Sequence, residues 1–282
     1  MKIKKLHLPD DEYFPEDNQM TIAMSAHYPN YIEQFKKWFI EYSKNFDIRI
    51  NLFTNLPEEF KNFKYENLFI YSVNDLMPNE SIEKELLLNN FVQYGKFPWN
   101  ARRHIIRKSF DLGYSKVLYL ENDMYFLLNQ EKLEQVINLT ESNTIYTTQS
   151  IWCNSEGHGG MLQDQETVGW VRKFNKLHNL NVNTEGFCAY DAPDIFYNFT
   201  KETYKSYFDW WDKAVVFNDT YSTTHNSAKI WIFLNALHKI PTKRYPIKNI
   251  TPPSHFLRAN HDPSVHYESP LRGKKAWESF FN

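Results

Sequence analysis

The order strand, helix, strand over residues 20–55 constrains this chain more than any other feature. MTIAMSA (20–26) is an apolar run bounded by polar residues, the pattern of a buried strand. Tyr31, Phe35, Trp38, Phe39 and Tyr42 follow at i, i+4, i+7, i+8 and i+11, one stripe of an amphipathic helix. IRINLFTN (48–55) alternates and reads as a second strand, and NLFIYSV (67–73) as a third. A βαβ unit requires parallel strands joined by right-handed crossovers, so the expected class is α/β.

The pattern continues. ARRHIIRKSFDL reads as a helix capped by Asn100 and ended by Gly113, and strand VLYL (117–120) comes directly after. Further helices are expected at 131–138, 166–178, 201–212 and 227–238. CNSEGHGGM (153–161) holds three of the chain's eight glycines and reads as a loop, with His158 a candidate lid residue. From Pro241 onward an irregular, Pro-, His- and cation-rich segment is expected. The organisation read from this is a single domain over 1–282. It comprises an arm at 1–19, a first half at 20–126, a second half at 127–240 and a C-terminal segment at 241–282.

Composition narrows the function. Thirty-two basic against 34 acidic residues give a formal charge of −2, which argues against a general polyanion binder. Two cysteines, Cys153 and Cys188, are too few for a disulfide framework and show no zinc spacing. The N-terminus turns acidic where a signal peptide would be apolar, and no apolar run approaches the roughly 20 residues that cross a bilayer. A cytoplasmic protein of a bacterium or phage is expected.

VLYLENDMYF (117–126) carries the chemistry. In an open parallel sheet, ligands bind beyond the carboxyl ends of the strands, where Glu121 and Asp123 stand. On an extended segment i and i+2 point the same way, so the two carboxylates repel. A hard divalent cation relieves that repulsion, and Mg2+ or Mn2+ held by one or two carboxylates commonly carries substrate phosphates. A solvated strand-to-loop junction, with both acids capping backbone amides, is the bland alternative.

VLYLENDMYF resembles the DxD segment, (V/I)LYLDxDxx, of nucleotide-sugar glycosyltransferases with the GT-A fold. The helix ARRHIIRKSFDLGYSK and the N-terminal βαβ are similar to the corresponding parts of that fold. Glu121 stands where the first Asp is usual. VHYESPLRGKKAWE (265–278) resembles the HFxGxxKPW motif of the retaining glycogenin and lipopolysaccharide galactosyltransferase family. The spacing from His266 to Lys275 is three residues longer than in that family, and Ala276 replaces the Pro. The resemblance implies a GT-A-like three-layer α/β/α fold with a mainly parallel central sheet. It implies His266 as a third metal ligand beside Glu121 and Asp123, and Lys275 on the diphosphate, with Arg272 and Lys274 as competing candidates. The implied activity is metal-dependent transfer of a sugar, with retention, from a nucleoside-diphosphate sugar, UDP favoured, to a hydroxyl.

The remaining candidates are read from the residues. Arg102 or Arg103 could reach the donor from their helix, the alternative being a solvated helix face. Asp191 and Asp194, in GFCAYDAPDIF, are candidates for the sugar side, Asp194 alternatively capping a helix or turn after Pro193. Asp219 and His225 are weaker candidates. Tyr207, Trp210 and Trp211 could stack on an acceptor sugar, although their helical spacing suits a core. The expected acceptor is a glycan, with hydroxymethylated phage DNA ranked below it. Two other classes remain open. A nucleotidyltransferase or sugar-nucleotide pyrophosphorylase would carry a glycine-rich first loop, and SAHYPNY has none. A non-catalytic nucleotide or glycan binder on the same fold would show no metal-dependent turnover.

Overall fold

The structure is a computed structural model. It describes residues 20–26, 29–76, 96–120, 130–139, 141–147, 151–152, 165–185, 187, 189–190, 195–221 and 227–244. The chain divides into two compact units: Met1–Thr140 with Ile247–Asn282, and Glu141–Pro246.

The first unit carries β1 (Met20–Ser25), α1 (Pro29–Trp38), β2 (Arg49–Thr54), β3 (Leu68–Ser72), α2 (Lys96–Asp111), β4 (Lys116–Leu120) and α3 (Gln130–Ile137). Its strands run in the order β3-β2-β1-β4, and all three pairings are parallel. The α/β class read from the sequence is therefore what the chain adopts. Every residue of these four strands is buried, as expected of parallel strands covered on both faces.

Several buried polar side chains on these strands bond one another across the sheet. Arg49 donates to Asn51 Oδ1 (2.9 Å) and to Tyr71 Oη (2.5 Å), and Asn51 donates to Thr21 Oγ1 (3.0 Å). The Arg49 guanidinium also sits 3.5 Å from the centroid of the Phe69 ring. Any slip of register would break these bonds, and an orphaned buried polar group costs about 1–3 kcal/mol. The network thus pins the order of three strands.

Along α1, Tyr31, Ile32, Phe35, Trp38 and then Phe39 are buried, which is the predicted stripe. The helix ends in a π-helical turn, Phe39–Ser43, closed by Lys44 N–H to Phe39 O (2.8 Å). That wider turn shifts the phase of the stripe, so Tyr42 is only half buried. α2 begins at Lys96, so Asn100 lies inside the helix and is not its cap. Pro98 falls in the first turn, where a missing N–H costs no intrahelical bond. Gly113 does end the helix, at φ 95°, a conformation that favours glycine. At the start of β4 the Lys116 ammonium donates to Ile137 O (2.5 Å), closing the C-terminus of α3.

The second unit carries β5 (Thr144–Thr147), β6 (Ile151–Trp152), α4 (Gln165–His178), β7 (Ala189–Tyr190), β8 (Ile195–Asn198), α5 (Lys201–Tyr221), α6 (Ser227–His238) and β9 (Thr242–Arg244). β5 pairs antiparallel with β8 and parallel with β9, and β6 pairs antiparallel with β7. Three expectations are corrected here. The segment after Pro193 is strand β8, because IFYN is aromatic and favours a pleated surface. The chain beyond Pro241 is not wholly irregular, since Thr242–Arg244 pairs with β5. The helix from 201 runs to Tyr221, because Ala214, Val215 and Phe217 continue its buried face.

The core of this unit is aromatic. Trp170 and Phe174 stack at 5.1 Å and meet the edges of Phe217 and Phe233. Residues 229–236 of α6 are all buried, so this helix runs through the interior. Thr200 caps α5, its Oγ1 accepting from Thr203 N–H (3.3 Å).

Candidate functional site

Parallel strands end at one edge, and in the first unit that edge is marked by Ser25, Thr54, Ser72 and Leu120. Ser25 and Thr54 are fully buried there, and Ser72 nearly so. Thr54 Oγ1 accepts the Leu56 N–H (3.1 Å), turning the chain out of β2. β4 pairs with β1, with Met24 opposite Leu120, so its carboxyl end lies beside that of β1. Glu121 follows Leu120 directly in the chain.

Glu121 and Asp123 themselves lie outside the described residues, as do His266, Arg272, Lys274 and Lys275. So do Asp191, which directly follows Tyr190 of β7, and Asp194, which directly precedes Ile195 of β8. His158 and His225 are outside as well, while Asp219 falls within α5. Among the described residues no group of three or more His, Cys, Asp or Glu is placed to hold a metal ion.

Arg102 and Arg103 are described, and the solvated-face reading of them is overturned: each is 1% exposed. They sit on α2, which packs against β1 and β4. Arg102 faces the Tyr119 ring of β4, Cζ to centroid 5.5 Å, and Tyr119 precedes Glu121 by two residues. A guanidinium against an aromatic face in a dry interior is held by the ring quadrupole. α2 thus keeps a buried positive charge alongside the strand that runs into the carboxylates.

His104, which the sequence reading did not single out, is buried next to them. Burial holds its pKa well below the usual imidazole value, and the charges of Arg103 and Arg107 push it the same way. It is therefore a neutral imidazole at physiological pH. No periodicity signals this cluster, because residues 102–106 are buried in an unbroken run, so that this turn of the helix is covered all round.

The acceptor-stacking reading of the aromatics on α5 is corrected for two of the three. Tyr207 and Trp211 are core residues, the Tyr207 hydroxyl donating to Asn235 Oδ1 (3.1 Å) and Trp211 meeting Trp231 edge-on at 6.1 Å. Trp210 is half buried, with the Lys213 ammonium 4.2 Å from its ring centroid and His178 against it at 5.4 Å.

No helix among the described residues is long and apolar enough to cross a membrane. No family model matches the chain, and no curated protein matches it in sequence. Solved structures do match, and those compared are glycosyltransferases. The mannosyltransferase Ktr4p from S. cerevisiae matches over 78% of this chain at 11% identity and a TM-score of 0.45, and the chain spans 65% of its length. The galactosyltransferase LgtC, solved with donor and acceptor sugar analogues, matches over 79% at 16% identity and a TM-score of 0.40, with 73% of that protein covered. The glycosyltransferase GlyE of Streptococcus pneumoniae matches over 93% at 14% identity and a TM-score of 0.41, with 63% of its length covered.

Proposed function

We propose that this protein is a metal-dependent glycosyltransferase that moves a sugar, with retention, from a nucleoside-diphosphate sugar to a hydroxyl acceptor. UDP is the favoured nucleotide and a glycan the favoured acceptor. The observation that carries the reading is the placement of β4. It is a fully buried parallel strand beside β1, and the chain passes from its last residue, Leu120, straight into Glu121 and Asp123. Ligands of such sheets lie beyond the carboxyl ends of the strands.

The donor set of Glu121, Asp123 and His266 suits a divalent cation. Two carboxylates and an imidazole offer the oxygen and nitrogen atoms that Mn2+ accepts readily and Mg2+ accepts in part. A cation held there would neutralise charge that develops on the leaving diphosphate. The chain's own residues do the rest. Lys275, with Arg272 or Lys274 as alternatives, would take a diphosphate oxygen as a point charge. Arg102 and Arg103 would add positive potential from behind β4. Asp191 or Asp194 would hold the donor sugar or the acceptor and steady positive charge at the anomeric carbon.

Calorimetric titration of UDP into the full chain, with and without Mn2+ and repeated on Asp123→Ala, tests this. Binding that requires Mn2+ and is lost in the variant is expected. Binding indifferent to both metal and variant would remove the proposed site. If UDP, GDP, CDP and TDP all fail to bind, the donor assignment goes with them.

A further inference from the structure

α4 turns Trp170, Val171 and Phe174 into the aromatic core of the second unit, which fixes the arc of helix left outside. Between Val168 and His178 the exposed residues are Val168, Arg172, Lys173, Lys176 and Leu177. At about 3.6 residues per turn the three cations fall between the two aliphatic side chains, which stand at the borders of the arc. Val168 is 47% exposed and Leu177 60%. A Cβ built on Gly169, next to Val168, meets nothing within 4 Å, so the face is open there as well. We propose that this face of α4 docks on an anionic lipid surface, with the three cations on headgroup phosphates and Val168 and Leu177 against the acyl boundary.

The charges on the arc are unmatched. Cations on a solvated helix face are stabilised by carboxylates three or four positions away. No acidic residue occurs from Thr167 through Thr184. Among the described residues no ion pair or hydrogen bond engages the side chains of Arg172, Lys173 or Lys176. Lys213 of α5 adds positive charge alongside, its ammonium lying over the Trp210 ring that His178 also meets. α5 carries Asp209 and Asp212 as well, so the uniformly basic face is that of α4. The chain as a whole has a formal charge of −2, so the attraction is local. Arg172 and Lys176 stand about 6 Å apart along the helix axis, inside the about 8 Å over which charges act at physiological ionic strength.

Many phosphate-bearing partners would satisfy three cations, and the aliphatic borders choose among them. Single exposed aliphatic residues are ordinary, but these two flank the unpaired charges on one arc. A headgroup layer accepts both kinds of side chain: Lys and Arg stems reach to the phosphates while aliphatic groups enter the interface. A nucleic-acid backbone offers Leu177 and Val168 little apolar surface in exchange. The core packing of Trp170 and Phe174 holds the arc in place before docking, so little ordering is required of the helix itself.

The test sediments the full chain with vesicles of phosphatidylcholine mixed with phosphatidylglycerol, and with vesicles of phosphatidylcholine alone, at low and high ionic strength. Binding to the anionic vesicles at low ionic strength, its loss in high salt and no binding to the neutral vesicles are expected. Arg172→Gln, Lys173→Gln and Lys176→Gln combined should weaken binding roughly 100-fold, about fivefold for each cation. These side chains are exposed, so the urea midpoint should stay where it is. Lys44→Gln, Lys61→Gln and Lys64→Gln combined remove the same charge from exposed positions of the first unit and should leave binding unchanged. Leu177→Ser, with every cation in place, should weaken it several-fold. Absence of binding to anionic vesicles, equal binding to neutral ones, or an equal loss in the first-unit variant would overturn the proposal. So would indifference to Leu177→Ser or displacement by duplex DNA at matched phosphate, either of which would leave a general polyanion site. The readout is independent of any sugar-transfer activity.

Discussion

The guanidinium of Arg102 lies 5.5 Å from the ring centroid of Tyr119, and both residues are fully buried. This contact joins α2 to the strand that leads into Glu121. A buried cation against an aromatic face is worth about 0.5–2 kcal/mol once desolvated, beyond the packing of both side chains. Arg102→Met with Tyr119→Leu, alone and together, forms a double-mutant cycle. Coupling of about 0.5–2 kcal/mol is expected from urea unfolding, with each single variant losing about 2–4 kcal/mol. Additive losses would mean that the two side chains are neighbours without being partners.

Gly169 sits inside α4, and a Cβ built there meets nothing within 4 Å. Glycine in a helix interior costs about 0.5–1 kcal/mol relative to alanine, because the unfolded chain gains freedom that the helix must remove. Gly169→Ala should stabilise the protein by about that amount, seen as a higher urea midpoint with an unchanged slope. A loss of stability would show that the surface of α4 is covered at this point in solution.

The first unit was legible in sequence because its signals are local and agree. Apolar or alternating runs of four to eight residues are interleaved with a striped helix, and Gly113 marks a helix end that the backbone confirms at φ 95°. The second unit was half legible. Its helices announced themselves, but TIYT, IFYN and TKR are strands of three or four residues whose pairing is decided by partners far along the chain. The burial of Arg102 and Arg103 was invisible for a related reason. A charged residue reads as exposed unless tertiary packing covers the helix on every side, and no periodicity reports that.

His104 makes the stability of the fold depend on pH. Its folded pKa is held well below the ordinary value, chiefly by burial and then by Arg103 and Arg107. Burial also lowers His238, and burial with Lys213 lowers His178. For a depressed imidazole the unfolded chain binds more protons, so stability rises with pH across the window. The contribution is complete above the unfolded value of about 6.5 and is lost as pH falls from there through the folded value. Urea midpoints measured between neutral and mildly acid pH should therefore drop on acidification. His104→Gln, which cannot titrate, should flatten that slope. An unchanged slope would place the acid sensitivity on other groups.

Trp210 and Trp211 are neighbours in sequence with different fates in the fold. Trp211 is buried against Tyr207, Phe208 and Trp231, so Trp211→Ala should cost about 3–5 kcal/mol through lost transfer energy and the cavity left behind. Trp210 is half buried, and its ring is engaged by Lys213 and His178 at the surface. Trp210→Ala gives up part of that burial and a cation–π contact worth about 0.5–1 kcal/mol, so a loss nearer 1–2 kcal/mol is expected. Urea unfolding of the two variants side by side separates the cases. Equal losses would contradict the burial of Trp211. A selective loss of acceptor binding in Trp211→Ala at full stability would return that residue to the sugar-stacking role its burial now denies it.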